Sequence, residues 1–120
     1  MLNRKEVHNS ETLNIQIDSH NQKSYLIELS KDCTKFDLNV ECLENSFSKF
    51  FILNHAESAC ELNINMVLKQ DANCQMGVLD LEKSPLKWNH YVDLKEQGAE
   101  YEILSGQLCQ EHIEKVCDMK

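Results

Sequence analysis

Cys60-Glu61-Leu62-Asn63-Ile64-Asn65-Met66-Val67-Leu68 alternates apolar and polar residues from Cys60 to Met66. A period of two is that of a strand with one buried and one solvated face. Working outward from it, the same phrase recurs behind a series of mostly small residues. His20, Cys33, Ser46, Ala59, Ala72, Pro85 and Ala99 follow one another at a step of about thirteen residues, and five of the seven are Cys, Ser or Ala. Apolar side chains fill the fifth, seventh and ninth places after several anchors: Tyr25, Ile27 and Leu29, then Leu38, Val40 and Cys42, then Ile64, Met66 and Leu68. The copies between are less regular. Phe50-Phe51-Ile52-Leu53 is a continuous apolar run, read as burial on both faces. Cys74 to Leu81 changes phase near Gly77, read as a bulge.

A strand plus a corner uses about thirteen residues, and repetition lets each strand pair with its equivalent in the next coil. The expected fold is all-β, a parallel β-helix in which small anchors occupy the corners. Lys69-Gln70-Asp71, Lys83-Ser84 and Lys95-Glu96-Gln97-Gly98 suit solvent-facing turns. With three glycines and one proline, glycine hairpins and a long flexible linker are not expected. An antiparallel sandwich has similar strand spacing and stays open as an alternative. The tail from Gln107 to Met119 fits either a helix, with Leu108, Ile113, Val116 and Cys117 near one face, or a further strand. Residues 1–19 are expected to be a lead-in carrying at most one strand, Leu13 to Ile17, and residues 20–120 a single partial β-helix domain.

Composition narrows the function classes. The formal charge of −8 and the twelve dispersed basic residues disfavour phosphate backbones and anionic lipid, so neither nucleic acid nor membrane is an expected partner. No window approaches the roughly 18 apolar residues of a membrane span, and no apolar stretch follows the basic N-terminus, which leads to a cytoplasmic expectation. Cys33, Cys42, Cys60, Cys74, Cys109 and Cys117 include no Cys-x-x-Cys pair and are read as reduced thiols that pack as small hydrophobes.

Three stretches carry a family resemblance: Ala56 to Asn63, Lys95 to Glu102, and Leu104 to Leu108 with Gln110 to Ile113. Over residues 54–119, a little over half of the chain, the sequence resembles the SufB/SufD family of iron–sulfur assembly proteins, SufD in particular. That family repeats a phrase of the type Gly-x-Gly-Ala-Glu-x-Glu-x-x-Gly on successive coils. Here Glu96 replaces its first glycine, and Gly98-Ala99-Glu100-Tyr101-Glu102 keeps its central part. The resemblance implies a right-handed parallel β-helix. It also implies a non-catalytic scaffold role with a SufC-type ATPase and a SufB/SufD-type partner subunit, the iron or iron–sulfur cluster being handled by the full complex. The family's important cysteines and histidines lie downstream of the segment that aligns, so none is carried onto this chain. The sequence is expected to be a piece of a longer protein or a short relative. Open β-helix ends would favour homo-association.

Other chemistry has thinner support. His55-Ala56-Glu57 has the His-x-Glu form of zinc deaminases but lacks their Pro-Cys-x-x-Cys. His55, His90 and His112, with Glu57, could be recruited to a cupin-like metal site in a small jelly-roll enzyme, the rival reading. A binding solenoid unrelated to cluster assembly is the other rival. Cys109 with His112 would make a thiol–base pair only in a helical tail, because on a strand their side chains would face opposite ways. Trp88, in phase with Leu86, is expected in the core, with Tyr91 covering an edge.

Overall fold

The computed structural model describes residues 2–80, 86–94 and 96–105, all strands and turns. The nine strands are β1 (Leu2–Val7), β2 (Ser10–Ile17), β3 (Gln22–Leu29), β4 (Lys35–Cys42), β5 (Phe47–Asn54), β6 (Cys60–Leu68), β7 (Asn73–Asp80), β8 (Leu86–Asp93) and β9 (Glu100–Ser105). Odd strands form one sheet in the order β1-β3-β5-β7-β9 and even strands another in the order β2-β4-β6-β8. Each pairing is parallel. The chain is therefore a parallel β-solenoid, and an antiparallel sandwich or jelly roll does not describe it.

The repeat read in the sequence is half a coil. Leu13, Leu38, Ile64 and His90 stand at equivalent places on successive even strands, with an odd strand between each and the next, so two repeats make one turn of the stack. Inward columns run along it. Tyr25, Phe50, Met76 and Ile103 form one on the odd sheet, and Leu13, Leu38, Ile64 and His90 face them from the even sheet. The Tyr25 and Phe50 rings stack with centroids 5.0 Å apart and planes 5° from parallel. Each fully buried Leu, Ile or Phe of these columns contributes roughly 1.5–3 kcal/mol relative to exposure, so the filled interior supplies the main drive to stack coils.

The scarcity of glycine is resolved at the corners. His20, Asn45 and Asp71 adopt positive φ (65, 60 and 58°), and Gly98 follows at 78°. One such residue stands at the same corner of each successive coil, ahead of the next odd strand. Their N–H groups climb the stack, with His20 donating to Glu44 O (3.2 Å), Asn45 to Gln70 O (3.1 Å) and Asp71 to Gln97 O (3.1 Å). Asn and Asp tolerate the left-handed region because their short side chains bond locally, so they turn the chain where glycine otherwise would.

Several expectations need correction. Residues 2–17 carry two strands, β1 and β2, which pair in register with β3 and β4 and so belong to the stack as its first coil. In β5, Phe50 and Ile52 are buried but Phe51 remains 46% exposed, so the apolar run is not buried on both faces. No bulge interrupts β7. Phe51, Gly77 and Leu104 stay in register, and Cys74, Met76 and Val78 all remain buried. Among the anchors, Cys33, Ser46 and Ala72 are buried at corners, but His20 and Ala59 are exposed. The tail from residue 107 onward, with Cys109, His112 and Cys117, lies outside the described residues, as do Pro85 and the Trp88 side chain.

Candidate functional site

Three features of the surface and one of the interior bear on function. The first is the corner beyond the carboxyl ends of β1, β3 and β5, where successive coils stack Glu6-Val7-His8, Glu28-Leu29-Ser30 and Leu53-Asn54-His55. Glu6, Glu28, Ser30, Lys31 and His55 line a shallow depression of about 240 Å³ there. His8 is held between two carboxylates, its Nε2 2.7 Å from Glu6 Oε1 and its Nδ1 3.2 Å from Asp32 Oδ1. The hydrogen bond to Asp32, followed by the charges of Asp32 and Glu6, raises the His8 pKa above its ordinary 6.5. Ser30 also donates to Asp32, and that bond, ahead of the one from His8, lowers the carboxyl below 3.8. Because Ser30 points its hydroxyl at the acid and not at the imidazole, this trio is no nucleophile–base pair.

His55, a sequence candidate, lies on this corner with Nε2 3.6 Å from Glu28 Oε2, and Arg4 reaches the other oxygen of Glu28 at 2.9 Å. Glu57 is exposed and pairs loosely with Lys31 at 3.7 Å. His90 is elsewhere. It occupies the inward column of the even sheet at 1% exposure, where its Nε2 and the Tyr101 hydroxyl are hydrogen-bonded and the two rings meet edge to face at 5.1 Å. The alternation of β8 forces this placement, because His90 is in register with buried Ile64. His55, just past the end of β5, and His90, inside on β8, thus stand apart, and among the described residues no three His, Cys, Asp or Glu side chains gather as a metal site.

The second feature is the outer face of the even sheet, where two side-chain ladders climb the coils, one of amides throughout and one of amides starting from a carboxylate. Asn39 Nδ2 donates to Asn14 Oδ1 and Asn65 Nδ2 to Asn39 Oδ1, both at 3.0 Å. In the neighbouring column Asn63 donates to Asp37 and Asn89 to Asn63, both at 2.8 Å. Stacked identical side chains one strand apart satisfy each other in this way. Asn14, Asn39 and Asn65 with Gln16, Glu41 and Val67 border a shallow groove of about 470 Å³.

The third is an apolar stripe on the outer face of the odd sheet. Leu26, Phe51 and Gly77 share one outward column, and Leu53 and Leu79 the next. Phe51 is 46% and Leu79 36% exposed. Contiguous apolar surface on an otherwise polar sheet marks a contact surface more often than scattered exposed leucines do.

Inside, the four described cysteines are buried and none is in a disulfide. They fall into two pairs at opposite corners, Cys33 with Cys60 and Cys42 with Cys74.

Neither the sequence nor the fold brings a relative into view: no known protein family, curated protein or solved structure matches the chain. No helix among the described residues is long and apolar enough to cross a membrane.

The corner escaped the sequence reading because His8 with Asp32, and Glu6 with Glu28, become neighbours only at the period of a whole coil, although Glu6 and His8 are two residues apart. The signal was available: Glu6-Val7-His8 and Glu28-Leu29-Ser30 are the same acid–apolar–polar triplet on successive coils, and they open onto the same corner.

Proposed function

We propose that this chain is a non-catalytic scaffold, a β-solenoid that positions protein partners, and that its partners are those of SUF-type iron–sulfur assembly in the cytosol. The observation that carries the scaffold reading is the filled interior. The two inward faces pack against each other, which leaves the outer faces and the ends of the stack as the working surface. Support for the SUF assignment is the resemblance in residues 54–119. Its phrase Gly98-Ala99-Glu100-Tyr101-Glu102 falls where the left-handed Gly98 turns the chain into β9. The iron or cluster is cargo of the complex in this reading.

Co-expression with a SUF-type SufB/SufD subunit and a SufC-type ATPase, followed by size-exclusion chromatography with light scattering, tests it. Coelution at fixed stoichiometry with the SufB/SufD-type subunit is the expected result. A folded chain that elutes apart from both proteins would sink the SUF assignment. The outward stripe of Leu26, Phe51, Leu53 and Leu79, with Phe51 and Leu79 exposed and Leu26 and Leu53 half-buried, favours a second reading, a binding solenoid unrelated to cluster assembly. Phe51→Glu separates the two: if the SUF proteins bind regardless of that substitution, the stripe is not their seat.

A further inference from the structure

The thiols the scaffold reading leaves unused are not equivalent. Cys33 lies in the turn between β3 and β4, its N–H donating to Ser30 O at 3.0 Å, and Cys60 opens β6 on the next coil. Their sulfurs are 3.7 Å apart. We propose that Cys33 and Cys60 form an oxidative modification site, which a small peroxide converts into a disulfide joining two successive coils.

Cys33 stands two residues before β4, and the pairing of Lys35 with Glu61 leaves it one residue out of step with Cys60. Neighbouring strands about 4.8 Å apart and a rise of about 3.3 Å per residue put such a pair roughly 5.8 Å apart, within the roughly 4.4–6.8 Å that disulfides span between Cα atoms. The sulfurs must approach from 3.7 Å to a bond of about 2.05 Å, a movement on the scale of a side-chain rotation. At 3.7 Å either thiol can stabilise the other's thiolate, and in the proposed step Cys33 attacks. Its hydrogen bond with Cys60 lowers its pKa from the ordinary 9.0, against burial and the nearby charges of Asp32 and Glu11. Its thiolate attacks one peroxide oxygen, the O–O bond breaks, and sulfenic acid and hydroxide form. The Cys60 thiol then attacks the Cys33 sulfur, the S–S bond forms, and water leaves with the Cys60 proton. Two thiols and one hydrogen peroxide become one disulfide and two waters.

The reagent class follows from the surroundings. Both sulfurs are buried, Cys33 at 0% and Cys60 at 2% exposure, and Asp32 and Glu11 stand near Cys33. A small neutral peroxide passes such a corner, whereas a bulky anionic disulfide such as oxidised glutathione is held off by size and charge. The opposite corner carries a second contact of the same kind. Hydrogen bonding with Cys74 lowers the Cys42 thiol from its ordinary pKa, whereas hydrogen bonding with Cys42, then burial, pushes the Cys74 thiol well above it. What differs there is Ser48, whose Oγ lies 3.6 Å from the Cys42 sulfur and gives it a further partner.

The test is non-reducing peptide mapping of the full chain after hydrogen peroxide and, separately, after oxidised glutathione. The expected product of peroxide is an intramolecular Cys33–Cys60 link, with the loss of two hydrogen masses, reversal by dithiothreitol and a urea midpoint raised above that of the reduced chain. The link should form at least tenfold more slowly with oxidised glutathione, be absent in Cys33→Ser and Cys60→Ser, and persist in the Cys42→Ser, Cys74→Ser double variant. Sulfinic or sulfonic acid at Cys33 as the main product would overturn the proposal. So would a link through any other cysteine, or no change at either residue.

Discussion

Glu6 and Asp32 hold His8 from both sides and favour its protonated form, and the consequence has a definite sign. Its folded pKa is raised, so its contribution to stability is fully present below 6.5 and is lost as pH rises through the folded value. Asp32 and Glu11 have the opposite sense. Their pKa values are lowered from 3.8 and 4.5, Glu11 chiefly by the His8 backbone N–H and then by Lys5, so their contributions vanish as pH falls. The first corner is thus tightest between the carboxylate range and the raised His8 pKa. An NMR titration should place His8 above 6.5, and the alkaline side of that window should flatten in His8→Gln. Gly98 makes a second prediction at this scale. A Cβ there would fall against the Asp71 carboxylate, and φ is 78°. Gly98→Ala is expected to cost more than the roughly 1–2 kcal/mol of a left-handed alanine in urea unfolding, because the clash with Asp71 adds to it. Asp71→Gly in the same chain should relieve the steric part and leave the backbone part. Gly98 was readable in the sequence as a turn residue. Asp71 was likewise legible as part of a turn and His20 as a corner. The left-handed backbone of His20, Asn45 and Asp71 was not, because the bend at each is fixed by its place in the coil, which appears only once copies are aligned at the period of a full turn.

Strands carry the part of the fold that sequence expressed best. Alternation from Cys60 to Met66 became β6, whose even-numbered side chains point in and odd-numbered ones out. It failed in β5 for a physical reason: Phe50, Phe51, Ile52 and Leu53 are all apolar, and hydropathy alone does not distinguish a core position from an exposed contact position. Phe50→Ala should therefore cost about 3–5 kcal/mol, as a large buried ring does. Phe51→Ser should stay within about 0.5 kcal/mol, as surface changes do. Equal costs in chemical denaturation would contradict the assigned faces. The amide ladders allow a sharper test. Asn63 donates both to Asp37 (2.8 Å) and to Glu61 (2.7 Å), so an amide stands between two carboxylates. Asn63→Asp replaces donor by acceptor and sets a third charge beside them. A loss of about 1–2 kcal/mol at neutral pH is expected, from one or two hydrogen bonds to charged groups and from like-charge opposition across strands. Stability should recover on acidification as the carboxylates protonate, whereas an uncharged packing defect would show no such recovery.

Among the described residues the coils are held by contacts to the next coil along, and β1 and β2 have a paired strand on one side only. The parallel solenoid was foreseeable because a repeated unit must place equivalent residues above one another. What guards its first coil was not, since it depends on which polar residues occupy inward positions. By register Asn3 and Lys5 stand beneath Tyr25 and Ile27, and Glu11 beneath Phe36, all inward columns of the coils above. Lys5 Nζ meets Glu11 Oε1 at 3.1 Å, so an ion pair bridges the two sheets across the end of the core. With both side chains a third or so exposed, the pair adds little stability, in the range of about 0–1 kcal/mol for surface pairs. Its effect is on association. Stacking another coil on this end would take both charges out of water, a cost of several kcal/mol per ion that an apolar end would not face. Inward-pointing charge is one of the ways an open sheet end is kept from pairing with another chain. Lys5→Leu with Glu11→Leu should leave the fold intact while shifting the chain toward larger species with rising concentration in sedimentation velocity. If the double variant remains as monodisperse as the parent across that range, the end of the stack is guarded by something other than this ion pair.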